Sequence, residues 1–180
     1  LAAPSANRSG FISPTSAQHV MTSLDGRIDM VLDAGPTEAG VESSILAVRE
    51  DGSWEELRAG PIDLDALHRH YYDVGLPRTE KRETLEAPGQ MASHYSPGKP
   101  VRLGVTEAEP DEFTIGFGAI GCDVTLSVGG DLSEAARNLY ACLHLAAESA
   151  KPRVAVAPIP DAGIGRAIND RLKRAAAPLA

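Results

Sequence analysis

Residues 4–10, Pro-Ser-Ala-Asn-Arg-Ser-Gly, crowd two hydroxyls, an amide and a glycine into one short turn, and Ser13 follows at the head of an apolar-periodic stretch. Ser5, Asn7, Ser9 and Ser13 would then surround a turn beside a helix N-terminus. Free backbone N–H groups and the helix dipole favour an anion there, and hydroxyls add donors without bulk. The same residues would equally make an ordinary Ser/Asn turn with an N-cap. Gly40-Val-Glu-Ser-Ser-Ile45 places Glu42, Ser43 and Ser44 where a polar run enters a buried strand, either a ligand edge or a strand end facing water. Arg58, in Leu57-Arg-Ala-Gly-Pro61, could grip a phosphate or remain solvated. Ser93-His-Tyr-Ser-Pro-Gly98 sets an imidazole beside a phenol inside a polar spacer. His94 and Tyr95 could form a lid over a site or tack the spacer to a domain.

Two lookalikes carry less. Gly163-Ile-Gly165 imitates a dinucleotide loop, but Ile168 stands where the third glycine belongs. His68 and His70 are two apart on an expected helix and point to different faces, which is poor geometry for a metal pair.

These groups need elements to hold them. Ser13-Pro14 reads as N-cap and first helical residue, with Ala17, Val20, Met21 and Leu24 at helical spacing and a stop near Asp25-Gly26. Residues 28–35 read as a short buried strand. Residues 42–48 and 54–58 flank Asp51-Gly52, a hairpin signal because both residues tolerate positive φ. Asp63 caps an expected helix with Leu64, Leu67, Tyr71 and Val74 on one face, ended by Gly75. Residues 76–100 lose apolar periodicity and read as a linker, too long for a connection inside one domain. Beyond it come strands at 101–105, 113–119, 124–128 and 152–160, a capping box from Asp131 to Glu134, a helix to about Ser149, and a basic helix at 165–176. That order predicts an α/β fold with a largely parallel sheet in the second part. The expected domains are residues 1–75 and 101–180.

Composition narrows the classes. A net charge of −8 argues against a broad nucleic-acid surface, which needs clustered Lys and Arg. Aromatic residues make up 4%, so the core must be built mainly from Ala, Val, Leu and Ile. Cys122 and Cys142 fit no metal or redox spacing and read as free thiols in a reducing, cytoplasmic setting. No apolar run approaches the ~20 residues of a membrane span.

Taken in order, Pro-Ser-Ala-Asn-Arg-Ser-Gly, Ser-Pro-Thr, Gly-Val-Glu-Ser-Ser-Ile, Leu-Arg-Ala-Gly-Pro and Pro-Gly-Gln-Met-Ala-Ser-His-Tyr-Ser-Pro-Gly resemble the threonylcarbamoyl-AMP synthase family in its long, two-domain form. The resemblance implies the C-terminal part of a YrdC-type twisted-sheet α/β domain, a linker, and a small Rossmann-like α/β domain. It implies a reaction of L-threonine, bicarbonate and ATP giving threonylcarbamoyl-AMP and pyrophosphate, with no protein nucleophile. A downstream transferase would carry the group to tRNA. It places Ser5, Asn7, Ser13, Arg58, His94 and Tyr95 at ATP, and Ala3 and Ser43 at threonine, with magnesium accompanying the nucleotide. Ser44 stands where the family usually has Thr, which keeps the hydroxyl. The family's first half of the catalytic domain, with its Lys/Arg pair, is expected to precede Leu1, so the chain alone is expected to be an inactive fragment. The competing readings are a non-catalytic RNA-binding or scaffold module and a carbamoyl-transferring relative.

Overall fold

The computed structural model describes residues 3–64, 66, 86–87 and 94–178. The chain enters through the Ser/Asn turn into α1 (Ala17–Leu24). This helix starts three residues later than the Ser13-Pro14 pattern predicts. Its cap is Ser16, whose side chain accepts the His19 N–H. Ser13 cannot serve, because it is buried and its hydroxyl is committed to Glu42 at 2.7 Å.

Residues 28–35 form no strand, contrary to expectation. Met30 and Leu32 are 73% and 84% exposed, and Gly35 closes an Asx turn onto Asp33 Oδ1 at 2.9 Å. An alternating apolar pattern becomes a strand only where another strand completes its ladder. None does so among the described residues.

The hairpin forms where expected. β1 (Ile45–Val48) pairs antiparallel with β2 (Trp54–Arg58), with Val48 opposite Trp54 and Ile45 opposite Arg58. Asp51 Oδ1 accepts both the N–H and the hydroxyl of Ser53, and Gly52 takes φ +80°. Asp63 accepts the Ala66 N–H at 2.9 Å, as an N-cap should. The rest of that expected helix, His68 and His70 included, lies outside the described residues, as does nearly all of 76–93.

The second part is a parallel sheet of β3 (Val101–Leu103), β4 (Glu112–Gly116), β5 (Val124–Thr125) and β6 (Arg153–Val156), in the order β3-β6-β4-β5. Two helices pack with it, α2 (Leu132–Glu148) and α3 (Gly165–Ala176). The α/β expectation holds. The capping box closes indirectly: Asp131 accepts the Glu134 N–H, while Glu134 takes the Ser127 hydroxyl, whose oxygen accepts the Asp131 N–H. Leu139, Leu143, Val154, Val156 and Ile168 are fully buried, and the same cluster takes in Ile12, Val41 and Tyr95 from earlier in the chain. A single apolar core therefore joins the site-bearing turns to the sheet.

The Gly163-Ile-Gly165 lookalike has a packing reason. Gly163 takes φ +51°, and a Cβ on Gly165 would sit 2.0 Å from the Pro160 carbonyl oxygen. Gly165→Ala should therefore force this backbone apart and lower unfolding stability by about 1–3 kcal/mol, the usual cost of overpacking. Urea denaturation of the variant beside the parent measures this.

Candidate functional site

Close backbone approach builds the site. The Cβ of any larger residue at Gly40 would lie 2.3 Å from Arg137 Cα, so Gly40 lets the chain run against α2 and delivers Val41 and Glu42 to the core. Gly60 does the same at the hairpin exit, where a Cβ would come within 2.2 Å of Ser44 N. Ser44 Oγ accepts the Ile62 N–H and donates to the Ile62 carbonyl, locking the two segments together. Arg58 completes the clamp: its Nε donates to the Ser43 carbonyl at 3.1 Å and its Nη2 to Ser43 Oγ at 3.2 Å. The spacing Arg-x-Gly thus has a physical meaning, a guanidinium and a missing side chain gripping one dipeptide.

The His-Tyr-Ser-Pro segment roofs this edge. Tyr95 is 1% exposed with φ +64°, a left-handed conformation that costs a non-glycine residue strain. Burial offsets it: the ring stacks on Tyr140 at 5.4 Å and meets His94 edge-on at 4.1 Å. Backbone bonds from His94 N to Arg174 O and from Ser96 N to Gly10 O tie the segment to α3 and to the Ser/Asn turn. Lys99 Nζ then donates to the Ala146 and Ser149 carbonyls at the end of α2, a charge placed where the helix dipole welcomes it. Protein contacts therefore seat residues 94–99.

A cavity of about 420 Å³ opens at this junction, lined by Ala3, Pro4, Ser5, Glu42, Ser43, Arg58, His94 and Tyr95. Six of the eight residues that the resemblance places at ATP or threonine line it. Asn7 and Ser13 do not. Asn7 Nδ2 donates to the Arg8 and Phe11 carbonyls and so holds the turn. Ser13 stands behind the wall, donating to Glu42.

Glu42, which the sequence offered as part of a ligand edge or of a strand end facing water, lines the cavity as well. Its Oε1 accepts from Ser13, Tyr140 lies 2.9 and 2.8 Å from its two oxygens, and Arg171 Nε donates to Oε2 at 3.1 Å. Burial opposes the charged carboxyl, but the Ser13 hydrogen bond and the Arg171 guanidinium outweigh it and hold its pKa below the ordinary value. Arg171 is 0% exposed and also donates to the Ala59 carbonyl. A signal for it existed: Ala167, Ile168, Arg171, Leu172 and Ala175 form one buried stripe on α3, and an arginine on an apolar stripe needs a partner. Burial pushes His94 down, so it is neutral at pH 7. It also pushes down His19 and His144, whose rings stack at 3.8 Å between α1 and α2.

The family model described as "Threonylcarbamoyl-AMP synthase, C-terminal domain" matches residues 53–177. The chain belongs to the threonylcarbamoyl-AMP synthase family. A second model, described as "Telomere recombination", matches residues 1–60. Among curated relatives, the Bacillus subtilis (strain 168) threonylcarbamoyl-AMP synthase is 33% identical over 98% of this chain and 57% of its own length. The Pyrococcus abyssi (strain GE5 / Orsay) threonylcarbamoyl-AMP synthase is 29% identical over 97% and 57%. The chain thus spans little more than half the length of these relatives. Among solved structures, P. abyssi Sua5 complexed with L-threonine superposes with a TM-score of 0.77 at 26% identity, covering 96% of this chain and 56% of the other. A variant of the same protein, with an adjacent His and Tyr both changed to Ala, gives 0.75 at 25% identity, with the same coverage. Among the described residues, no helix of this family member is long and apolar enough to cross a membrane.

The three lowered histidines set a pH dependence. Unfolded histidine titrates near 6.5, about where the free side chain does. The folded chain holds its histidines neutral below that, so their contribution is complete above pH ~6.5 and is lost as pH falls through the depressed folded values. Glu42, with its pKa also depressed, adds a second loss below 4.5. Denaturant midpoints should therefore fall from pH 7 to pH 5 and again below 4.5, with the histidine ring signals titrating below 6.5 by NMR.

Proposed function

We propose that this chain forms part of an L-threonylcarbamoyladenylate synthase, which joins L-threonine, bicarbonate and ATP into threonylcarbamoyl-AMP and pyrophosphate. The observation that carries the reading is the convergence of Ala3, Ser5, Ser43, Arg58, His94 and Tyr95, drawn from four separate motifs, on one cavity. The family relationship and the threonine complex of the P. abyssi protein support the amino-acid substrate.

The chemistry asks for positioning more than for a nucleophile. The threonine amine condenses with bicarbonate, forming the N–C bond of a carbamate and releasing water. A carbamate oxygen then attacks the α-phosphorus of ATP, an anhydride forms, and the bond to pyrophosphate breaks. Enzymes accelerate such transfers by holding the reactants in line and neutralising developing charge. Ser43 and the Ala3 backbone offer short-range donors and acceptors for the threonine carboxylate and hydroxyl. Arg58, held by its grip on Ser43, presents a guanidinium to the phosphates. Ser5 adds a hydroxyl, and Asn7 keeps the turn in shape. Neutral His94 and buried Tyr95 roof the cavity, where excluding water protects both the carbamate and the adenylate. The product is a reactive mixed anhydride, so a transferase acting on tRNA in the cytoplasm would consume it.

A magnesium ion is expected with the nucleotide, and the described residues do not build a seat for it. Among them, Glu42 is the one carboxylate lining this cavity, and both of its oxygens are engaged by Ser13, Tyr140 and Arg171. Among the described residues, no group of three or more His, Cys, Asp or Glu converges elsewhere. No step is routed through the ion.

Two outcomes test the reading. In a protein extended to the relatives' full length, Arg58→Ala should weaken ATP binding by about 2–3 kcal/mol, the worth of a charge-assisted contact, and Arg58→Lys should restore only part because it lacks the fork. Titration calorimetry with ATP measures both; unchanged ATP affinity in the alanine variant would confine Arg58 to strand pairing. In a protein extended to the relatives' full length, pyrophosphate release should require threonine and bicarbonate together, and His94→Ala with Tyr95→Ala should lower product yield more than threonine affinity.

A further inference from the structure

We propose that Tyr140 and Arg171, both from the C-terminal α/β region, are positioning residues for the amino-acid end of the site and act on it through Glu42. The inference rests on the threonine reading above.

The geometry is a relay. Tyr140 sits on the buried face of α2 and Arg171 on the buried face of α3, 1% and 0% exposed. Both converge on the Glu42 carboxylate, from 98 and 129 residues away in sequence. Glu42 lines the cavity and is followed at once by Ser43, the residue that Arg58 grips. Three donors, from Ser13, Tyr140 and Arg171, already hold the carboxylate. Anchored in this way, it fixes the backbone that carries Ser43. Arg171 secures the same wall a second time by donating to Ala59, between Arg58 and Gly60. It also lies 5.9 Å over the Tyr95 ring, so one guanidinium touches the floor, the hairpin exit and the roof. Tyr95 in turn stacks on Tyr140. The Ser43 edge, the hairpin exit and the roof of the cavity therefore lead back to these two side chains. The C-terminal region then does more than tether or scaffold the site, since the Ser43 edge is incomplete without it.

The test uses the 180-residue chain for exchange, and a protein extended to the relatives' full length for affinities, with the conservative variants Tyr140→Phe and Arg171→Lys, which keep bulk and charge, together with Glu42→Gln. Hydrogen exchange is followed by mass spectrometry in peptides covering 41–46 and 94–99, and in 153–156 as an internal control. L-threonine and ATP affinities come from calorimetry, and thermal midpoints are recorded alongside. The expected result is exchange about tenfold faster at 41–46 and 94–99 with 153–156 unchanged, and threonine affinity lowered about tenfold while ATP affinity holds, a change on the scale of one hydrogen bond. Because Tyr140 acts through Glu42, adding Tyr140→Phe to Glu42→Gln should cost no further threonine affinity. Unchanged exchange at 41–46 in both variants overturns the positioning role whether or not threonine binds. Parallel losses in threonine affinity, ATP affinity and thermal midpoint overturn it in favour of a purely structural pair. An extended parent protein that binds no threonine overturns the functional reading itself, a result distinct from either.

Discussion

The contact on which the rest of this structure depends is the ion pair between Glu42 and Arg171. Arg171 has no exposed surface, and an unpaired guanidinium in such a place would be expensive; removing one partner of a buried pair costs about 3–5 kcal/mol. Neither charge can leave alone. The pair therefore fixes α3 against the polar run that opens β1, and through Ala59 it fixes the end of β2 as well. An ion pair is a directional tie, unlike the apolar core around it, so it specifies register where Leu and Val would permit sliding.

Glycines decide how closely the pieces come. Gly40 admits the chain to within backbone contact of α2, and Gly60 admits the hairpin exit to Ser44. In a protein with few aromatic rings, the roof uses two that stack, Tyr95 on Tyr140. The strain of Tyr95 is held by that stacking and by Lys99, which anchors the following residues at the end of α2. The result is a cavity whose polar groups are mostly spoken for by the protein itself. Such a site contributes preorganisation: reacting groups meet donors whose orientation is already set.

The exposed apolar residues at Met30 and Leu32 belong to the same logic. Their alternation fits one face of a sheet, yet the hairpin next in sequence pairs only within itself. The chain spans little more than half the length of the curated relatives it matches.

What the sequence determined by itself is local. Asp51-Gly52 makes its turn because those two residues accept positive φ, Asp63 and Asp131 cap because a short carboxylate reaches the amide three residues on, and the strand and helix order of 101–176 yields the parallel sheet. Residue type and motif order also picked out six of the eight cavity residues. The tertiary structure decided the rest. Ser13 lost its role as cap because Glu42 took its hydroxyl, and residues 28–35 stayed out of any strand because ladder bonds need a neighbour. Glu42 itself was legible only as a polar residue at a strand end. Its partners Tyr140 and Arg171 lie 98 and 129 residues away, and no periodicity along the chain reports which buried cation will meet which buried anion. Only the packing of α2 and α3 onto the sheet brings those charges to one point.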